Sequence, residues 1–148
     1  MARMKKLVEV AVAAALFAGC AGAVVAADAG AAIAARKAAM KTTLTATVKL
    51  RNPAMTAEDA RGAGKIIAAD LNTFNANLGA GTGPESGVVT KAKAEIWTDK
   101  AGFKAEYDKA LAAANALSKV GDDPAAAKAA SKAVLDGCTS CHTKYRST

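Results

Sequence analysis

Residues 122–146 read DDPAAAKAASKAVLDGCTSCHTKYR, and this stretch decides the fold. Asp122 or Asp123 offers a side-chain oxygen as helix cap, and Pro124 stands in the first turn, where its missing N–H costs nothing. From there Ala127, Ala130, Val134, Cys138, Cys141 and Tyr145 recur at helical intervals. The spacing predicts a helix over about 123–146 whose inner stripe ends in two cysteines and a tyrosine. Three residues are nearly one turn, so both sulfurs project from one face, and His142 follows directly.

Working outward, the chain breaks at Asn52-Pro53, over Gly79 to Gly87, and around Gly121-Asp122-Asp123-Pro124. Three more segments between those breaks carry helical periodicity. The first, about 29–50, places Ile33, Met40, Leu44 and Val48 on one stripe. The second, about 56–78, has Ile67, Leu71, Phe74 and Leu78, with Thr56 as N-cap. The third, about 98–120, has Phe103, Tyr107, Ala110, Leu111, Ala114 and Leu117, capped by Thr98 or Asp99. Four amphipathic helices predict an all-α, antiparallel four-helix bundle with its cofactor site between helices and its long loop between helices two and three.

Composition agrees. The hydrophobic share is 52%, but much of it is alanine and only 4% of the chain is aromatic. Alanine is the best helix former and buries little area, so a large apolar cofactor would help complete such a core. The formal charge of +7 is spread over several helices, and Arg3, Lys5 and Lys6 before the first apolar run account for part of it. No basic patch interleaved with aromatics is present, which argues against nucleic acid as a partner.

Cys138-Thr139-Ser140-Cys141-His142 carries the chemistry. Two sulfurs one turn apart can add to the two vinyl groups of one haem, and the adjacent histidine can reach the iron. A redox dithiol would want a βαβ context, and a zinc site four ligands; beyond residue 27 the chain offers two cysteines and one histidine. Two buried structural cysteines beside a stray histidine is the bland alternative. Covalent haem c, one group on Cys138 and Cys141, is the expectation. His142 is the only histidine, so a second imidazole ligand is ruled out. Met40, on the first-helix stripe, is either core filler or a sixth ligand, whereas Met55, beside a turn, is expected to face away from the core. Arg36 on the same stripe either snorkels to water or pairs with a haem propionate. Arg146, four residues after His142, either neighbours that ligand or answers the helix dipole. Trp97 reads as a packing anchor. No Ser/His/Asp set or phosphate loop is present, so no enzyme is expected.

Residues 1–27 read as a signal peptide: a basic start to Lys6, an apolar run from Leu7 to Val25, and small residues for cleavage near Ala26 or Ala27. Residues 28–148 are then the bundle, exported to the periplasm. Phe17-Ala18-Gly19-Cys20 resembles a lipobox, which gives lipid anchoring at Cys20 as the lesser alternative.

The tail Gly137 to Arg146 resembles the C-terminal haem signature of the cytochrome c′ family, including its Tyr-Arg pair. Lys93-Ala94-Glu95-Ile96-Trp97 with Phe103 resembles the start of that family's third helix, and Arg36 to Lys41 its first. The resemblance implies a left-handed antiparallel bundle, usually a homodimer through helices one and two, with a five-coordinate iron held by His142. It further implies an apolar distal pocket that admits NO and CO, with Met40 covering the distal face, Arg36 at a propionate, Phe103 lining the cavity and Arg146 on the proximal side. A low-spin branch of the same fold uses methionine near the position of Met40 as sixth ligand and carries electrons between redox partner proteins. The two expectations are therefore a gas-binding haem protein and a Met/His electron carrier.

Overall fold

The computed structural model describes backbone for residues 20–148 and side chains for 28–148. The leader expected over 1–27, with Cys20, lies outside the latter range. Four long helices and one short one make up the fold: α1 (Cys20–Leu50), α2 (Ala57–Ala76), α3 (Glu95–Thr98), α4 (Lys100–Leu117) and α5 (Pro124–Tyr145). No helix among the described residues is long and apolar enough to cross a membrane.

Local chemistry sets the ends. Thr56 caps α2 reciprocally: its hydroxyl accepts from Asp59 N–H at 3.0 Å, while Asp59 accepts from the Thr56 backbone N–H at 3.1 Å. Asp99 accepts from Gly102 N–H at the start of α4, and Asp123 from Ala125 N–H at the start of α5, with Pro124 just behind it. Such caps satisfy amide groups that the helix itself leaves orphaned. The long loop 77–94 includes a single 3-10 turn (Pro84–Ser86) that closes on Gly87, whose φ of 74° lies where a Cβ is disfavoured.

Helix α1 packs on α2, α2 on α4, and α4 on α5, while α1 and α5 touch far less. The bundle is antiparallel and four-membered, with α3 a one-turn prelude to α4. Its interior divides in two. Toward the end where α1 turns into α2, the core is mostly alanine with Leu50, Ile67, Leu117 and Val134. At the opposite end lie Ile96, Phe103, Tyr107 and Tyr145, with Phe74, Leu78, Trp97 and Cys141 against them. All five aromatic residues with described side chains gather there. The largest side chains buried below 2% exposure are Ile33, Ile67, Leu117 and Val134. At about 1.5–3 kcal/mol for each such side chain, this is a thin core.

Two expectations need correction. Leu44 and Val48 do not face inward; each is 60% exposed. The buried stripe of α1 is Ile33, Arg36, Ala39, Thr43, Ala46, Thr47 and Leu50, with Met40 only half buried. Strict steps of four residues drift by about 40° each from a 3.6-residue stripe, so a pattern that starts at Met40 has left the core by Val48. Met55 does not face away; it packs against the alanine-rich core, and the Ser131 hydroxyl approaches its sulfur at 3.5 Å.

Candidate functional site

Helix α5 delivers the cysteines to the interior. Both are half buried: Cys138 packs against the alanine-rich cluster and Cys141 against the aromatic one, so the pair straddles their boundary. Gly137 packs against α4 at Ala110, where a Cβ would make an ordinary contact 3.4 Å from the Ala110 Cα. Burial raises both thiols. Cys141 is pushed up to about 11 by burial first, then by the nearby Glu106 carboxylate, and Cys138 is raised by burial. Redox dithiols show the opposite shift, and among the described residues no three His, Cys, Asp or Glu side chains converge as a protein metal cage requires. Two inward, protonated thiols between an apolar wall and an aromatic one suit thioether attachment of a flat apolar ring.

His142 lies in the last turn of α5 with its side chain exposed. Partial desolvation first, and the Arg146 guanidinium second, hold its imidazole below the ordinary value. It is therefore neutral at pH 7, the state a metal ligand requires. Arg146 does not share its helical face: the backbone at Arg146 has turned extended, forming an antiparallel bridge with Ala92 while its N–H donates to the His142 carbonyl at 3.1 Å.

Phe103, 7% exposed, forms the centre of the aromatic end. Tyr145 meets it edge-on at 5.4 Å between centroids, Tyr107 stacks at 6.3 Å, and Phe74 lies at 6.5 Å. Tyr107 satisfies its hydroxyl by donating to Asn72 Oδ1 at 3.0 Å. Trp97 donates Nε1–H to the carbonyls of Leu78 and Gly79, both at 3.2 Å, and so anchors the long loop as expected.

Arg36 is 2% exposed and does not snorkel. Its Nη1 donates to the Asn77 carbonyl (2.7 Å) and Thr82 Oγ1 (2.9 Å), and Nη2 to the Thr82 carbonyl (2.7 Å). The guanidinium carbon lies 5.5 Å from the Trp97 ring centroid and 6.0 Å from that of Phe74. Arg36 thus latches α1 to the loop that follows α2.

Reading the chain alone missed the grip of α4 on the end of α5. Tyr145 Oη donates to Asp99 Oδ2 at 2.7 Å, and Glu106 accepts from Ser140 Oγ and Lys144 Nζ, both at 2.7 Å. Asp99 was legible only as a cap, and nothing in the periodicity marks Glu106.

The family model for Cytochrome C′ matches residues 31–146. A curated cytochrome c′ from Rubrivivax gelatinosus is 41% identical over 68 residues, 45% of this chain and 53% of that protein, so the match spans about half of that relative's length. The solved cytochrome c′ of the same organism is 29% identical with a TM-score of 0.71, covering 80% of this chain and 97% of that one. A cytochrome c′ described as having an unusual ligand-controlled dimer dissociation is 27% identical with a TM-score of 0.72, over 81% and 97% of the two chains.

Proposed function

The chain belongs to the cytochrome c′ family, and on that footing we propose that it is a periplasmic mono-haem cytochrome with five-coordinate iron, which binds NO or CO, transfers electrons, or does both. Its cofactor is haem c, attached through Cys138 and Cys141. When bound, that group supplies the iron at which a gas is held or an electron exchanged.

The remaining roles belong to the chain's own side chains. His142 would hold the iron, its imidazole kept neutral by partial desolvation first and the Arg146 guanidinium second. Phe103 and its aromatic neighbours would line the cavity and keep water from it. Arg36 would hold a propionate through Nε–H and one Nη2–H, the donors its loop contacts leave over. Met40, half buried on α1, would act as a lid over the site rather than as a ligand. The observation that carries the reading is that His142, beside two inward cysteines, is the chain's only imidazole, so it alone among the histidines could hold the iron. We read the protein as a carrier rather than an enzyme.

Dimerisation fits the surface of α1 and α2. Leu44 and Val48 are 60% exposed and Ile66 40%, and the relative with ligand-controlled dimer dissociation offers a precedent for a second copy covering them.

The test is the optical spectrum of the purified holoprotein, oxidised and reduced, followed by CO or NO added to the reduced form. A broad high-spin Soret band with ready gas binding is expected. Sharp low-spin bands indifferent to CO would make Met40 the sixth ligand and the protein a Met/His electron carrier.

A further inference from the structure

The turn that carries His142 is the last of its helix, where backbone carbonyls lose their partners and ends fray. An axial ligand on a fraying turn would be poorly oriented. Here the turn is tied on both sides. Two residues before His142, the Ser140 hydroxyl donates to Glu106 Oε2; two residues after it, Lys144 Nζ donates to Glu106 Oε1. Three residues after it, the Tyr145 hydroxyl donates to Asp99 Oδ2. The chain beyond is held by Lys93 N–H on the Tyr145 carbonyl (3.0 Å) and Ser147 N–H on the Lys91 carbonyl (2.9 Å). Asp99, the N-cap of α4, and Glu106 are seven residues apart and so lie on one side of that helix. Glu106 is only 14% exposed at its side chain, and Gly102 leaves the room that the Asp99–Tyr145 contact needs.

We infer that Asp99 and Glu106 are positioning residues for the axial imidazole: α4 grips the turn of α5 on both sides of His142 and so sets the ring's orientation. This rests on the haem reading above, and it holds whether the iron has five ligands or six, since His142 is the axial histidine in both.

Tyr145→Phe in the holoprotein tests it most cleanly, because the ring stays against Phe103 and only the hydroxyl goes. Asp99→Ser keeps a capping oxygen but is too short to reach the Tyr145 hydroxyl, and Glu106→Gln keeps the side chain's shape. The readout is the rhombicity of the ferric haem in electron paramagnetic resonance, which follows imidazole orientation and not helix stability. Tyr145→Phe and Asp99→Ser are each expected to shift it, and the double variant no further than the larger single shift, because both break one link. Glu106→Gln is expected to add a separate shift. Wild-type rhombicity in all three single variants, with only the melting temperature lowered, overturns the inference and leaves the acids as structural staples. Wild-type protein that fails to stain for covalent haem would instead overturn the haem reading, so the two failures are distinguishable.

Discussion

At the scale of single residues, Arg36 shows how far a side chain's environment can depart from its position in the sequence. A cation on an apolar stripe suggests either water or an anion as its destination. The structure supplies backbone carbonyls and a hydroxyl 41 and 46 residues away, with aromatic faces beside the guanidinium. Hydrogen bonds from a charged donor contribute about 1.5–3 kcal/mol each, and removing the donor strands the acceptors. Arg36→Met is therefore expected to destabilise the holoprotein by on the order of 3 kcal/mol, read as a lower urea midpoint. His142, Cys138 and Cys141 were legible because their chemistry lies within five consecutive residues. The Glu106 and Asp99 contacts were not, because any polar residue on an exposed-looking face of α4 reads the same.

Among the elements, the fit of α2 against α4 rests on Gly64 and not on its neighbour Gly62. At Gly62 a Cβ meets nothing within 4 Å, whereas at Gly64 it would fall 2.5 Å from the Ser118 backbone N and 2.9 Å from the Ala114 carbonyl oxygen. Gly62→Ala is expected to stabilise by about 0.5–1 kcal/mol through helix propensity. Gly64→Ala should destabilise by at least about 1–3 kcal/mol, because α4 must move away; thermal melts of the pair check both signs. The contact between α1 and α2 holds Asp70, whose carboxyl is raised by burial while the Thr43 hydroxyl, donating at 3.0 Å, partly offsets it. A raised folded-state pKa means that the native protein holds this proton more tightly than the unfolded chain does. The stability it contributes is present below the ordinary carboxylate value and is lost as pH rises through the folded value. Asp70→Asn keeps the acceptor for Thr43 and should be the more stable protein at pH 7. Its advantage should vanish below about pH 3.9, as urea titrations at the two pH values will show.

For the whole molecule, Leu44 and Val48 form an exposed apolar pair on the outer surface of α1. Their joint replacement, Leu44→Lys with Val48→Lys, is expected to turn a dimer into a monomer by analytical ultracentrifugation while the optical spectrum stays unchanged. A monomeric wild type would remove the dimer from the proposal. Inside, the division into an alanine-rich half and an aromatic half puts every described aromatic beside Cys141 or its neighbours, so the thin core and the cofactor site are one feature of the fold. Local sequence alone determined the four long helices, most of their caps and the attachment motif, because each depends on residues within a turn or two of one another. Only the tertiary structure decided which face of α1 is buried, where the charge of Arg36 goes and what holds the turn of His142. Those outcomes depend on partners 34 to 46 residues away. A helix of small residues can be rotated in its groove at little local cost, so its own pattern does not settle the contact.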